Sequence, residues 1–121
     1  MRPNTNPKAR VPALAIDGFV LTENPAILAV LGRRFPAAGL YPDGGEPDGG
    51  EAEARCLEWL AWQSNTVHIA FAQVWRAERF VEREADFPPV QASGRANVQR
   101  HFAGIEDRLA ASPFALSLIH I

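Results

Sequence analysis

The segment at residues 41–50 constrains the fold more than any other part of this sequence. It holds four glycines and two prolines in ten residues, a composition that prevents both helix and strand formation. Before it, apolar residues first alternate and then repeat at helical spacing; after it, the pattern is helical almost to the end. We therefore expect an α+β chain in which a loop over 40–50 links a small mixed part to a mostly helical one.

The first part predicts a β-hairpin followed by a helix. Asp17 and Gly18 form a two-residue turn signal between two short apolar runs, so we expect antiparallel strands over about 12–21. Thr22 is a typical N-cap residue, and the spacing beyond it predicts a helix over 23–35. Because two strands alone are marginally stable in water, this lobe looks incomplete and we expect further structure before it.

The second part predicts two long helices. Residues 51–84 contain no proline or glycine and carry one continuous apolar stripe. An Asp-Phe-Pro-Pro break at residues 86–89 precedes a second helical pattern over 90–111. We expect these helices to pack antiparallel, with no strand after Gly50.

Composition excludes several classes of protein. The chain has 121 residues, is 47% hydrophobic and has a formal net charge of −2, which favours a globular fold and gives no electrostatic reason to expect nucleic acid. One cysteine excludes an internal disulfide framework. No stretch reaches the roughly 20 apolar residues of a membrane span, and no signal peptide is visible at the N-terminus. A cytoplasmic protein with no membrane partner is expected.

Several of these segments together resemble a known family. The run from Asn6 to Leu14 with its Val-Pro pair, the Asp-Gly turn, and Leu-Thr-Glu-Asn at residues 21–24 are similar to the second half of the thioredoxin-like domain of bacterial cytosolic glutathione S-transferases. The resemblance continues through Glu-Trp-Leu at residues 58–60 and Ile-Glu-Asp-Arg-Leu at 105–109, and it covers about residues 4–115. It implies a partial thioredoxin-like domain over 1–39, a linker over 40–50, and a partial all-α domain over 51–115.

The resemblance implies a glutathione site at the hairpin and the first helix. The proline matching Pro12 is cis in the family, which would present the backbone of Val11 to the cysteinyl unit of the tripeptide; the alternative is an ordinary strand start. Thr22, Glu23 and Asn24 lie at a helix N-terminus, where N–H groups favour a carboxylate and Glu23 favours an ammonium, as in the γ-glutamyl end of glutathione. Plain helix capping is the alternative for these three residues.

Two residues of the helical part need separate interpretations. The resemblance makes His68 a contact for a small hydrophobic electrophile, against a structural histidine in the core or in an interface. Cys56 lies inside the long helix, away from the family's N-terminal thiol, and is interpreted as a small buried residue. Among the aromatic residues, we expect Trp62, Phe71 and Trp75 to be packing residues. His101 and His120 have no partners at metal-ligand spacing, so no metal site is predicted.

The sequence departs from the family pattern at both ends. No Ser, Tyr or Cys lies in residues 1–11, so no catalytic residue is assigned and this chain alone is expected to be inactive towards the glutathione thiol. Residues 116–121 match nothing in the family. The resemblance implies a glutathione transferase that detoxifies electrophiles as a homodimer, with glutathione as co-substrate. Two alternatives stay open: a non-catalytic glutathione or hydrophobic-ligand binder, and a helical interaction module.

Overall fold

The computed structural model describes residues 6–42 and 50–116. Most of the predicted 40–50 linker and most of the predicted 116–121 tail lie outside the described residues. Contacts divide the chain into two compact units, one running up to Leu57 and the other beginning at Glu58. The domain boundaries expected from the resemblance stay a prediction.

The first unit contains the predicted hairpin. Strands β1 (Ala13–Ile16) and β2 (Phe19–Thr22) pair antiparallel, with Ala13 opposite Thr22 and Ile16 opposite Phe19. Asp17 and Gly18 both have positive φ, 46° and 85°, which is the geometry of a two-residue type I′ turn. Glycine adopts such angles without strain and aspartate tolerates them, so the sequence of the turn accounts for its shape.

Helix α1 (Asn24–Arg34) follows the hairpin directly, within one residue of the predicted range at each end. Ile27 and Ala29 are its buried residues. At its C-terminal end Arg34 donates to both carboxylate oxygens of Asp17, a contact that joins the helix to the hairpin turn. The bond from Arg34 is the largest influence on the pKa of Asp17 and lowers it from its usual value.

The prediction that Thr22 caps this helix was wrong. Thr22 is the last residue of β2, where its backbone continues the strand pairing and its branched side chain suits an extended conformation. Glu23 takes the N-cap position instead, with φ 74° and no capping bond from its side chain. The Glu23 carbonyl accepts the N–H of Ile27 at 3.0 Å and so begins the helical hydrogen bonding.

The long helix expected over 51–84 is interrupted. Helix α2 (Glu51–Trp62) passes through a π-helical turn (Gln63–Val67) into α3 (His68–Trp75), and the helix ends there rather than at residue 84. Arg76 leaves the helical conformation, and a short 3₁₀ helix (Ala77–Arg79) follows. Ala77 is only 2% exposed, so the chain leaves the helix at the point where this side chain becomes buried. No glycine or proline in the sequence indicates a helix end here.

Helix α4 (Phe87–Ala111) begins three residues earlier than expected. Pro88 and Pro89 occupy its first turn, where a missing N–H is tolerated, and so they start the helix instead of breaking the chain. Contacts between α4 and the preceding helices run in opposite directions along the two sequences: Trp62 meets His101, and Gln73 meets Asn97. The antiparallel packing is therefore confirmed, and residues 50–116 contain no strand.

The core of the described residues is small. Its buried apolar members are mostly alanines and small side chains: Ile27, Ala29, Cys56, Ala70, Ala72 and Ala77. Cys56 is 7% exposed, as expected of a buried structural cysteine, and burial raises the pKa of its thiol. Many larger apolar side chains stay exposed, which leaves both units with incomplete coverage of their apolar faces.

Candidate functional site

The backbone before β1 is the first part of the candidate site. The Val11–Pro12 peptide bond is cis, as the resemblance implied, and Val11 is 92% exposed. Val11 lies just outside the two-stranded ladder, whose first paired residue is Ala13. Its peptide groups therefore stand at a strand end that can accept an extended peptide by backbone pairing.

The segment before Val11 is held by two local bonds. The amide of Ala9 donates to the carbonyl of Asn6 at 3.0 Å, and the Asn6 side-chain amide donates to the Arg10 carbonyl at 2.7 Å. Ala9 has φ 49°, so the chain turns sharply here. This turn brings Lys8 towards the start of α1.

The start of α1 is the second part. Glu23 and Asn24 are exposed, and Glu23 holds its positive φ at the junction between β2 and the helix. The first N–H groups of a helix have no partner inside it, and here Pro25 removes one of them, leaving those of Asn24 and Ala26. The site thus combines a carboxylate, an amide side chain and a positive helix end within two residues.

Lys8 is the residue that the sequence analysis missed. Its Nζ lies 2.7 Å from Oε1 of Glu23, with both side chains more than half exposed. Fifteen positions separate the two residues, so only the hairpin brings them together, and no local sequence signal marks the pair. Surface ion pairs contribute about 0–1 kcal/mol, so a ligand ammonium can replace Lys8 at this carboxylate.

His68 lies in the second unit, at the first position of α3, and it is exposed. It borders a surface groove of about 570 Å³ together with Phe71, Ala72, Trp75, Arg76 and Arg79. The core interpretation of His68 was therefore wrong. Trp75 was expected to pack inside, but it is 69% exposed and lines the groove while stacking on Phe71.

The sequence analysis also considered His101, and this residue packs against an aromatic side chain. His101 makes an edge-to-face contact with Trp62, with ring centroids 5.6 Å apart. Within residues 6–42 and 50–116 no three histidine, cysteine or acidic side chains group as metal ligands would. The helices of those same ranges include none with the length and apolar character needed to cross a bilayer.

The arrangement of elements defines a class of protein. A hairpin entered through a cis proline, a helix with an acidic N-cap and an antiparallel helical pair match half of a two-domain α+β fold. A beta-class glutathione S-transferase from Sphingomonas chungbukensis superposes with a TM-score of 0.75 at 26% identity, over 93% of this chain and 51% of that one. A sphingomonad glutathione S-transferase complexed with glutathione gives a TM-score of 0.71 at 33% identity, over 88% and 48%.

The sequence comparison leads to the same family. The chain is 33% identical to glutathione S-transferase theta-3 of Mus musculus over 119 residues, which are 96% of this chain and 48% of the relative. It is 24% identical to the transferase GST-4.5 of Xanthomonas campestris over 104 residues. No protein-family model matches the chain. Over nearly its whole length the chain is similar to glutathione S-transferases, and it spans about half the length of the relatives that it matches.

Proposed function

We propose that this chain carries the glutathione-recognising half of a glutathione transferase that joins the glutathione sulfur to a small hydrophobic electrophile. The observation that carries the proposal is the exposed Val11 just before the first residue of β1, on the same unit as an acidic helix start. The similarity of the chain to glutathione S-transferases, one of them a sphingomonad enzyme complexed with glutathione, supports it.

The cysteinyl unit of glutathione is assigned to Val11. An extended peptide needs one N–H and one C=O aligned with its own, and the backbone at a strand end offers both. Pro12 contributes no N–H, so the donor in this pairing is the Val11 amide. The cysteinyl side chain would then point away from the strand end, free to react.

The γ-glutamyl end is assigned to the start of α1. Its α-carboxylate accepts from the helix N–H groups and from the Asn24 amide, and its ammonium pairs with the Glu23 carboxylate in place of Lys8. Thr22 contributes through position, because its place at the end of β2 sets where Glu23 and Asn24 stand.

His68 is assigned to the second substrate. An exposed imidazole beside Phe71 and Trp75 offers a polar atom within an apolar groove, which suits a small electrophile with one polar group. In the reaction, the sulfur electron pair forms the new C–S bond while the leaving group departs with the electrons of its own bond. Activation of the thiol is assigned to no described residue.

The proposed assembly is a homodimer, and the proposed compartment is the cytoplasm. The resemblance to glutathione S-transferases supports the first, as do the exposed apolar side chains on both units. No step of the proposed reaction is assigned to a metal ion, and the thiolate is the nucleophile.

The γ-glutamyl assignment is tested by measuring the binding of two ligands to the 121-residue chain and to its Glu23→Gln variant. Titration calorimetry compares glutathione with glutaryl-cysteinyl-glycine, which lacks only the α-ammonium. Because Glu23 is exposed and screened by solvent, Glu23→Gln should weaken glutathione binding by about 1 kcal/mol, roughly fivefold, and leave the analogue unchanged. Glu106→Gln, an exposed acidic residue on α4, serves as the matched control and should change neither. Equal losses for both ligands would contradict the assignment, as would no loss for either.

A further inference from the structure

The ion pair between Lys8 and Glu23 places a second ammonium group at the start of α1. Lys8 is the single lysine of the sequence. Its Nζ lies 2.7 Å from Oε1 of Glu23, and the exposed fractions of the two side chains are 56% and 68%. Because the pair stands in solvent and contributes little to stability, it can open without disturbing the fold around it.

The backbone before the hairpin holds Lys8 close to Glu23. The Ala9 amide donates to the Asn6 carbonyl at 3.0 Å, and Ala9 has φ 49°, so the chain turns at Lys8. The Asn6 side-chain amide donates to the Arg10 carbonyl at 2.7 Å and closes the same turn. Lys8 is therefore a tethered cation, whose ammonium stays near Glu23 when the pair opens.

The Glu23 carboxylate is available to a ligand because the helix does not use it. Glu23 occupies the N-cap position, but its side chain makes no capping bond and instead accepts from Lys8. The lysine ammonium carries three N–H donors, as does the α-ammonium of an amino-acid head group. The two cations therefore compete for one carboxylate.

This competition affects ligands with and without an ammonium differently. A ligand ammonium reaches Glu23 only by displacing Lys8, so it gains less than it would at an unpaired carboxylate. A ligand without an ammonium leaves the Lys8–Glu23 pair closed, and a paired Glu23 repels the ligand carboxylate less than a bare one would. Lys8 thus narrows the difference in affinity between the two kinds of ligand.

We propose that Lys8 is a specificity-determining residue of the γ-glutamyl site, where it takes the place of a missing ligand ammonium. The site then admits acyl-cysteinyl-glycine peptides whose acyl end carries a carboxylate but no ammonium, of which glutaryl-cysteinyl-glycine is the simplest. The role assigned to Lys8 rests on the proposed function, because it concerns ligands bound at the start of α1.

Titration calorimetry with glutathione and glutaryl-cysteinyl-glycine tests this role on the 121-residue chain and its Lys8→Met variant. Lys8→Met should tighten glutathione binding about two- to threefold, because the competing ammonium is gone. The same variant should weaken binding of the analogue about twofold, because Glu23 then faces the ligand carboxylate unpaired. A general loss of positive charge would instead weaken both anionic ligands.

Three further variants locate the effect. Lys8→Arg keeps a cation beside Glu23 and should bind both ligands as the wild-type chain does. Lys8→Met added to Glu23→Gln should change the binding of neither ligand, since the carboxylate for which Lys8 competes is then absent. Arg95→Met, at an exposed arginine of α4, is the matched control and should also change neither.

Displacement of Lys8 is observed directly by NMR. Reductive methylation with isotope-labelled formaldehyde keeps the lysine charge and gives one side-chain signal, because the sequence has one lysine. Without ligand, this signal should differ between the wild-type chain and Glu23→Gln. Glutathione should shift the wild-type signal towards its position in Glu23→Gln, and the analogue should leave it in place.

The outcomes separate the role of Lys8 from the glutathione assignment. Glutathione binding that is unchanged or weaker in Lys8→Met would overturn the role of Lys8 and leave the assignment standing, as would an effect of Lys8→Met that persists beside Glu23→Gln. Failure of the wild-type chain and of every variant to bind either ligand would overturn the proposed function, and the role of Lys8 with it. Circular dichroism of each variant shows that any change in affinity reflects the site and not unfolding.

Discussion

Tyr41 is the single tyrosine of the sequence, and its environment was not evident from the residues around it. Its hydroxyl oxygen is buried without a hydrogen-bond partner among the described residues, and its ring packs against the backbone of Gly32, where a Cβ would overlap the tyrosine. Nearby, Arg33 donates from Nε to Glu53 at 2.7 Å. Burial, followed by the influence of the Glu53 carboxylate, raises the pKa of Tyr41 to about 12.

This shift predicts an alkaline dependence of stability. In the unfolded chain the pKa of a tyrosine hydroxyl is near 10, below the pKa of about 12 that Tyr41 has in the folded chain. The stabilisation is therefore complete below pH 10 and is lost as the pH rises towards about 12. Absorbance of the tyrosinate band reports this one residue, and its midpoint should fall in Glu53→Gln, because a nearby negative charge is removed. A midpoint near 10 in the folded chain would mean that the hydroxyl is solvated.

Glu23 is a second residue for which the sequence predicted only part of the environment. The sequence predicted its place beside Asn24 at a helix start, because both lie within one local motif. The sequence did not predict its pairing with Lys8, since that contact depends on how the hairpin folds back. The assignment of these residues to glutathione stays a prediction until binding of the des-ammonium analogue is measured.

At the scale of elements, the packing of α3 on α4 depends on one glycine. A Cβ at Gly94 would lie 2.8 Å from Cβ of Gln73 and 3.0 Å from the carbonyl oxygen of Ala70. Neither atom is the end of a flexible side chain, so the helices would have to move apart. Gly94 and the buried Ala70 thus allow the close approach of the two helices.

Gly94→Ala should therefore lower the free energy of unfolding by about 1–3 kcal/mol, the usual cost of overpacking a close contact. Gly104→Ala in the same helix is the matched control, because nothing lies within 4 Å of its added Cβ. Better helix propensity should make that variant more stable by up to about 1 kcal/mol. Urea denaturation followed by circular dichroism measures both, and a stabilised Gly94→Ala variant would refute the close packing.

At the scale of the whole molecule, most of the large apolar side chains that stand out are exposed rather than buried. Twelve large apolar side chains of the described residues are exposed, whereas the buried ones are few and mostly small. The apolar side chains of α4 are an example, because Phe102 and Leu109 remain nearly half exposed. Such surface is characteristic of an interface.

We therefore expect the 121-residue chain to self-associate. Sedimentation velocity at tens of micromolar should show species heavier than one chain, shifting to lower mass on dilution. Phe102→Gln and Leu109→Gln together should reduce the association, because they remove apolar area from one exposed face of α4. A sharp monomer boundary across the concentration range would contradict the expectation.

The sequence by itself determined the features whose causes are local. The Asp-Gly turn gave the hairpin because its two residues accept positive φ, and helical periodicity gave α1 and the antiparallel pair. The family resemblance, carried by short motifs at fixed spacing, was confirmed by relatives and by solved structures.

Tertiary structure alone decided the rest. Thr22 pairs with Ala13 in the hairpin and therefore does not occupy the N-cap position of α1. Helix α3 ends at Trp75, next to the buried Ala77, although no glycine or proline lies there. That early end is also what exposes Trp75 beside Arg76 and Arg79, so the groove could not be derived from a helix running on to residue 84. Each of these outcomes depends on packing or pairing contacts that override the local propensity of the residues involved.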